Sequence, residues 1–263
     1  AEAIAKANNT PYGLTAGIHS LDADEVARWL DRVEAGNVYV NRGITGAIVE
    51  RQPFGGWKRS TVGTTAKAGG PNYLLTLGRW DPVEAEPGAN LRIEGVSRTV
   101  ASVLKRGQTG LDFAEFDRVR RAALSDERAW VAEFGAGRDA AGLEVERNVL
   151  RYRPVPVTIR LADGQPLGHL VRLIAAGALT RSPLTISSAV PLPAALVQSF
   201  GESIPSAIVR GVVIESDAAW LARASRLSGR VRLVGGDGRA LAEAVGGSPD
   251  VAIYDGPVTT EGR

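Results

Sequence analysis

Residues 155–161, VPVTIRL, decide the fold class, because they are the first of five short β-branched runs that alternate with helical patterns. The other four runs are 184–187 (LTIS), 211–215 (GVVIE), 231–234 (VRLV) and 251–254 (VAIY). The helical patterns between them cover 168–177, 193–201, 218–227 and 239–245. Strands that alternate with helices indicate a parallel sheet with right-handed crossovers. We therefore predict an α/β fold with a Rossmann-like parallel-sheet domain at 148–263.

Residues 81–147 come before this domain and divide into a linker and a helical region. The stretch 81–90 (DPVEAEPGAN) combines proline, glycine and acidic residues with little to bury, which is typical of a linker. Apolar residues at helical spacing over 111–134 predict a long amphipathic helical region. We expect this region to break near Ser125 and Asp126, since either side chain could cap a second helix.

Residues 1–80 form a first block of alternating short elements. Helical patterns cover 1–9 and 22–34, and strand patterns cover 14–20, 37–41 and 73–77. The helix at 22–34 has an acidic first turn, which suits the helix dipole. Gly36 is a candidate for the residue that ends this helix.

A glycine-punctuated loop at 42–71 is the densest candidate site. Its glycines let backbone N–H groups approach a ligand closely, and such groups can form an anion-binding concavity. Phe54 and Trp57 could supply apolar walls. Loops of this length inside compact domains are usually functional or disordered. The alternative is a glycine-rich surface loop without a ligand.

Three ordered motifs in the first block resemble the C-terminal end of the aldehyde dehydrogenase superfamily. They are 5–22 (AKANNTPYGLTAGIHSLD), 35–43 (AGNVYVNRG) and 53–60 (PFGGWKRS). The stretch 43–74, with its GGPNYL ending, resembles the glutamate-semialdehyde (1-pyrroline-5-carboxylate) dehydrogenase branch. Later motifs resemble the C-terminal domain of the long form of the bifunctional proline utilization A family: 142–161, 182–188, 231–237 and 250–263. In that family a flavin-dependent proline dehydrogenase precedes the aldehyde dehydrogenase on one chain.

The resemblance implies roles for three residues. Gly46 and Ala47 match the loop whose backbone amides hold the carboxylate of glutamate semialdehyde, and charge-assisted bonds of this kind are strong. Phe54 matches an aromatic residue that lines the aldehyde pocket. The family's catalytic cysteine, its general-base glutamate and its NAD-binding residues would all lie upstream, so no catalytic, cofactor or metal residue is expected in this chain.

The resemblance also implies an organisation for the whole polypeptide. We expect 1–80 to be the C-terminal piece of an aldehyde dehydrogenase fold, and 148–263 to be a truncated domain that covers the aldehyde site. The parent enzyme would use NAD, with FAD in its upstream proline dehydrogenase domain, whereas the present chain alone would be inactive and would bind neither. The expected partners are glutamate semialdehyde, the upstream part of the polypeptide and a second copy in a homo-oligomer.

Composition excludes several other functions. The chain has 31 basic and 29 acidic residues, which are interleaved rather than gathered on one face, so nucleic-acid binding is not indicated. There is no cysteine for a disulfide or a thiolate, and His19 and His169 are too far apart in sequence to suggest a metal site. No apolar run is long enough for a membrane span, and no signal peptide is evident, so we expect a cytoplasmic protein.

Two further interpretations stay open. In the first, the chain is a non-catalytic structural module, acting as a lid or an oligomer contact without binding a ligand. In the second, it is an independent nucleotide-binding protein. Two glycine-rich stretches bear on the latter: 135–140 follows a helix rather than a strand, and 234–238 lacks the spacing of a dinucleotide fingerprint. We interpret them as a helix end and a tight turn.

Overall fold

The computed structural model describes residues 2–48, 51–78 and 92–260. Two compact units divide the chain: one comprises 1–79 with 138–150, the other 80–137 with 151–263. The segment 138–150 groups with the first unit, whereas the sequence predicts 138–147 in the central region and 148–150 in the Rossmann-like domain. The helices of that central region belong to the second. The predicted linker at 81–90 lies outside the described residues.

The first unit is built from short elements and small two-stranded sheets. Its elements are α1 (Glu2–Asn8), β1 (Tyr12–Gly13), β2 (Thr15–Ile18), α2 (Ala23–Arg32), β3 (Asn37–Val40), β4 (Trp57–Lys58), a 3₁₀ helix (Tyr73–Thr76), β5 (Arg138–Asp139) and β6 (Val149–Leu150). Strands β2 and β3 run parallel. The pairs β1–β4 and β5–β6 are antiparallel.

Helix α2 begins where the sequence predicts and ends differently. Asp22 caps it by accepting from the backbone N–H groups of Asp24 and Glu25 at 2.8 and 3.1 Å. Trp29 and Val33 are buried on its inner side. Val33 leaves the helix with an extended backbone, so the prediction that Gly36 ends the helix is wrong. Gly36 instead lies against Gly55, and a Cβ atom at Gly36 would be 1.9 Å from the Gly55 carbonyl oxygen.

The predicted strand at 73–77 is also wrong, because Tyr73–Thr76 forms a 3₁₀ helix. Local bonds satisfy its backbone: Tyr73 N–H donates to the Gly70 carbonyl at 3.1 Å, and Leu77 N–H donates to the Leu74 carbonyl at 3.1 Å. Leu74 and Leu77 remain exposed. Within the described residues no strand pairs with this segment, and an apolar run without a neighbouring strand forms local turns instead.

The second unit contains the parallel sheet. Its helices are α3 (Arg98–Gly107), α4 (Phe113–Ala129), α5 (Leu167–Thr180), α6 (Ala194–Ser199), α7 (Asp217–Ala222) and α8 (Gly238–Ala244). Its strands are β7 (Val157–Leu161), β8 (Leu184–Ser188), β9 (Val209–Ile214), β10 (Gly229–Val234) and β11 (Val251–Tyr254). They lie in the order β11-β10-β7-β8-β9, and every pair is parallel. This is the doubly wound order of a Rossmann-like domain, as the alternating pattern predicts.

Helix α5 explains why α3 and α4 belong with this sheet. Its sequence, LGHLVRLIAAGALT, is apolar around most of its circumference, as expected of a helix covered on two sides. Leu170, Val171 and Ile174 are fully buried in the same core as β7 and β8. Val103 and Leu104 of α3 and Phe116 of α4 join that core. The two helices therefore form an outer layer over α5.

The helical region does not break at Ser125 and Asp126. Helix α4 continues to Ala129 and is followed by a π-helical turn at Trp130–Phe134. The Asp126 carboxylate caps no second helix but accepts from the Arg172 guanidinium of α5 at 2.5 and 2.8 Å. Burial raises the pKa of Asp126, and the partner arginine opposes that rise. Asp126, which the sequence suggests as a helix cap, therefore joins α4 to α5 instead.

Candidate functional site

The candidate loop starts from a rigid support at the end of β3. Asn41 has a left-handed backbone, with φ of 56°. Its side chain accepts from the Ser20 N–H and donates to the Ser20 carbonyl, both at 2.9 Å. This reciprocal pair fixes the direction in which the chain leaves the β2–β3 pair. Ile44 packs back on Gly17, where a Cβ atom would be 2.5 Å from the Ile44 Cγ2.

The segment 43–48, which follows this support, is exposed at every residue. Gly46 has φ of +83°, a conformation that favours glycine, and there is open space where its Cβ would be. Within the described ranges no hydrogen bond occupies the backbone N–H of Gly46 or Ala47. Two adjacent amides are thus presented without a partner, which is what a backbone site for a carboxylate requires.

Phe54 lies beyond this segment and is held by its backbone. It forms an antiparallel bridge to Ala68, with N–H to carbonyl distances of 3.0 and 2.9 Å. Asn37 braces both neighbours of Phe54: its amide donates to the Pro53 carbonyl, and its oxygen accepts from Gly55 N–H, both at 3.1 Å. The half-buried Phe54 ring therefore sits on a fixed backbone, whereas Gly46 and Ala47 lie on an exposed one.

Lys67 ties this brace together and was missed in the sequence. Its ammonium donates to the carbonyls of Gly36 and Gly55 at 2.7 Å each and to the Asn37 side-chain oxygen at 3.1 Å. Burial lowers the pKa of Lys67 to about 8. Its stem also packs on Gly55, where an added Cβ would lie 3.0 Å from the Lys67 Cγ. The sequence offers no signal for this role, because three segments distant along the chain supply the acceptors.

A buried polar cluster in the second unit was also missed. Arg160 of β7 donates to the Ser187 hydroxyl of β8 at 2.7 Å and pairs with Asp217 at 2.5 Å. The Ser187 hydroxyl donates to the Glu215 carboxylate at 2.6 Å. No basic residue lies near Ser187 in the sequence, and its partner Arg160 comes from the adjacent strand.

This cluster occupies the carboxyl ends of β7, β8 and β9, the edge at which Rossmann-like domains bind ligands. Glu215 also pairs with Arg223, and hydrogen bonds from Arg223 hold the pKa of Glu215 below its usual value. The guanidinium groups of Arg160 and Arg223 lie 5.6 and 4.8 Å from the centre of the Trp220 ring. Because most of these groups bond to one another, we interpret the cluster as structural. Within the described residues, the buried Arg160 Nε is the one polar atom of the cluster that has no hydrogen-bond partner.

The glycine turn at 234–238 does not suit a dinucleotide. Gly235 and Gly236 have φ of 69° and 80°, and the Asp237 carboxylate caps α8. Added Cβ atoms at Gly235 and Gly238 would lie 2.4 Å from side-chain atoms of Gln165 and Asp255 respectively. Side chains thus fill the space beside the glycines, and two carboxylates would repel a pyrophosphate.

No group of three or more His, Cys, Asp or Glu side chains among the residues that the structure describes could hold a metal ion.

None of the helices in the described part of the chain is long and apolar enough to cross a membrane.

Comparisons with known proteins identify the first unit's class. The aldehyde dehydrogenase family matches residues 1–77. A 1-pyrroline-5-carboxylate dehydrogenase of Bacillus thuringiensis (strain Al Hakam) is 53% identical over 72 residues, which are 27% of this chain and 14% of that protein. A protein of the same name from Bacillus cereus (strain AH187) gives the same values. The first 77 residues are therefore similar in sequence to aldehyde dehydrogenases.

A solved structure extends the similarity to the remainder of the chain. Proline Utilization A (PutA) from Corynebacterium freiburgense is 35% identical, with a TM-score of 0.69, over 100% of this chain and 22% of that one. This confirms the resemblance that the sequence motifs indicate. It does not favour the alternative of a purely structural module. The chain spans only 14% and 22% of these relatives' lengths.

Proposed function

We propose that this chain is part of an NAD-dependent glutamate-semialdehyde (1-pyrroline-5-carboxylate) dehydrogenase that acts in proline catabolism. In this proposal it supplies the site for the substrate's carboxylate. The observation that carries the proposal is the pair of adjacent amides at the exposed residues Gly46 and Ala47, which lie within the residues 1–77 that match the aldehyde dehydrogenase family. The names of the relatives indicate the reaction, and the loop has the backbone N–H donors that would bind the carboxylate of this substrate.

Each proposed residue has a distinct role. The N–H groups of Gly46 and Ala47 donate to the carboxylate, and the positive φ of Gly46 lets successive amides converge on one anion. Phe54 lies against the aldehyde-bearing carbon chain and excludes water. Its rigid brace, formed by Asn37 and Lys67, keeps the ring in place as substrate binds. These three contacts bind and orient the substrate but do not transfer electrons.

The residues present do not fit NAD, so we assign the oxidation to other parts of the polypeptide. The turn at 234–238 is filled by Gln165 and Asp255, and no cysteine is available as a nucleophile. The domain at 148–263 would cover the aldehyde site, and the whole would be a cytoplasmic homo-oligomer that has FAD in an upstream proline dehydrogenase domain.

An activity comparison tests the proposal. NADH formation from glutamate semialdehyde is measured for this 263-residue chain and for a polypeptide that also includes the upstream aldehyde dehydrogenase sequence. We expect turnover by the longer polypeptide and none by the present chain. Absence of turnover by the longer polypeptide would refute the assigned reaction. Turnover by the present chain would refute its role as a binding wall only.

A further inference from the structure

The carboxylate-binding segment 43–48 is contacted by a stretch of chain about a hundred residues away. Arg42 precedes the segment directly, and its guanidinium lies 2.9 Å from the Glu146 carboxylate. Arg51 follows the segment after a short interval, and it lies 3.7 Å from the other oxygen of the same carboxylate. Glu146 therefore bridges the residues on both sides of the segment.

A second polar contact runs beside this bridge. The Gln52 side-chain amide donates to Asn148 at 3.0 Å, and the Asn148 amide donates in turn to Glu146 at 3.2 Å. Asn148 is itself fixed, because its backbone N–H donates to Asp139 at 3.2 Å. Glu146 is thus held from two directions in a partly shielded position, with its side chain 25% exposed.

The local backbone makes this bridge effective. The N–H groups of Arg51 and Gln52 donate to the Ile48 carbonyl at 3.2 and 3.1 Å, which ties Arg51 to the end of the segment. On the other side, the Arg42 guanidinium lies 5.2 Å from the centre of the buried Tyr39 ring. An ion pair that joins two fixed ends reduces the conformations open to the residues between them.

We infer that Glu146 is a positioning residue for the carboxylate-binding amides of Gly46 and Ala47, acting through Arg42 and Arg51. It joins the two ends of the exposed segment. It also engages two guanidinium groups that would otherwise bind the substrate carboxylate in a different pose. The substrate named in this inference rests on the proposed function, whereas the ion-pair bridge between Glu146 and the two arginines does not.

Hydrogen exchange on the 263-residue chain tests the bridge independently of activity. Glu146→Gln keeps the shape and the acceptor oxygen but removes the charge. We expect amide exchange of Arg51 and Gln52, whose N–H groups donate to the Ile48 carbonyl, to accelerate about two- to fivefold, the range of a partly exposed ion pair. Glu144→Gln is the control, since Glu144 lies in the same segment and is exposed. Unchanged exchange in Glu146→Gln would overturn the bridge.

Steady-state kinetics on the longer polypeptide test the positioning role. In Glu146→Gln we expect KM for glutamate semialdehyde to rise about two- to fivefold with kcat unchanged. KM for propanal, which has no carboxylate, should stay constant. Equal changes for both aldehydes, or a constant KM for glutamate semialdehyde despite faster exchange, would overturn the positioning role.

A double-variant cycle separates this role from damage to the fold. Arg42→Gln alone should raise KM for glutamate semialdehyde about as much as Glu146→Gln does, and the double variant should raise KM no further than the larger single change. Additive increases in the double variant would overturn the ion-pair explanation. If the wild-type longer polypeptide oxidises neither aldehyde, the proposed function fails, and the exchange experiment still decides the bridge.

Discussion

Gly36 and Gly55 meet at a point where neither backbone has room for a side chain. A Cβ atom at Gly36 would be 1.9 Å from the Gly55 carbonyl oxygen and 2.7 Å from two backbone atoms of Gly56. Since all three obstacles are backbone, no flexible side chain can move aside. This contact sets the course of the chain on both sides of Phe54, and Lys67 bonds to both glycine carbonyls.

Gly36→Ala should therefore destabilise the first unit by about 1–3 kcal/mol, the usual range for an overpacked site. Gly43→Ala is the matched control, because nothing lies within 4 Å of its added Cβ. Urea unfolding, followed by amide exchange in the first unit, measures both. Equal stabilities of the two variants would show that the two backbones can separate without cost.

For individual residues, the sequence predicts a chemical role better than it predicts which residues that residue contacts. Gly46, Ala47 and Phe54 can be chosen from the resemblance, because the motif positions match the family's pattern; their roles remain predictions. Gly36 and Lys67 could not be assigned correctly. A glycine after a helix looks like a helix end, and a single lysine in a polar loop looks solvated, until the packed backbone shows what each one contacts.

The strands of the second unit show how an element is fixed by its own sequence and by its neighbours. β7 to β11 could be predicted because parallel strands buried on both faces appear as continuous β-branched runs. Tyr73–Thr76 has a similar composition and forms a 3₁₀ helix, since no strand in the described ranges pairs with it. Asp126 has the chemistry of a cap, yet it pairs with Arg172 of another helix. Composition predicts which structure a segment prefers, and the segments that pack against it determine which structure it forms.

The Arg160 cluster gives a prediction at this scale, because it links three adjacent strands. Ser187→Ala removes one acceptor from Arg160 and one donor from Glu215, both within the buried edge of the sheet. We expect a loss of about 1–3 kcal/mol in the free energy of unfolding of the second unit. The change should be measured by chemical denaturation with exchange monitored in β7 and β8.

The control lies two residues earlier on the same strand. Thr185 is exposed, so Thr185→Ala removes a hydroxyl without breaking a buried network, and it should change stability by less than about 0.5 kcal/mol. If Ser187→Ala is as stable as Thr185→Ala, the cluster makes no net contribution to the free energy of unfolding. Some buried ion pairs behave in this way.

Across the whole molecule, the compact units do not follow the chain order. Residues 138–150 join the first unit, whereas the helices before them join the second. The sequence could not predict that these segments would group in this way, because the contacts of Glu146 and Asn148 span 104 and 96 residues. Sequence patterns of period 2 or 3.6 report local structure and carry no information about such pairs. The result is that a segment distant in sequence contacts the loop that we propose for substrate binding.

The central claim is that backbone amides at Gly46 and Ala47 recognise the carboxylate of the substrate. Ala47→Pro removes one of these N–H donors, while Ala47→Ser keeps it and changes only the side chain. The measurement is the ratio of kcat/KM for glutamate semialdehyde to that for propanal, in the longer polypeptide. We predict that Ala47→Pro lowers this ratio by about tenfold or more, in line with the loss of a hydrogen bond to a charged group, and that Ala47→Ser leaves it near the wild-type value. A ratio that stays constant in Ala47→Pro, with both aldehydes affected equally, would contradict the claim.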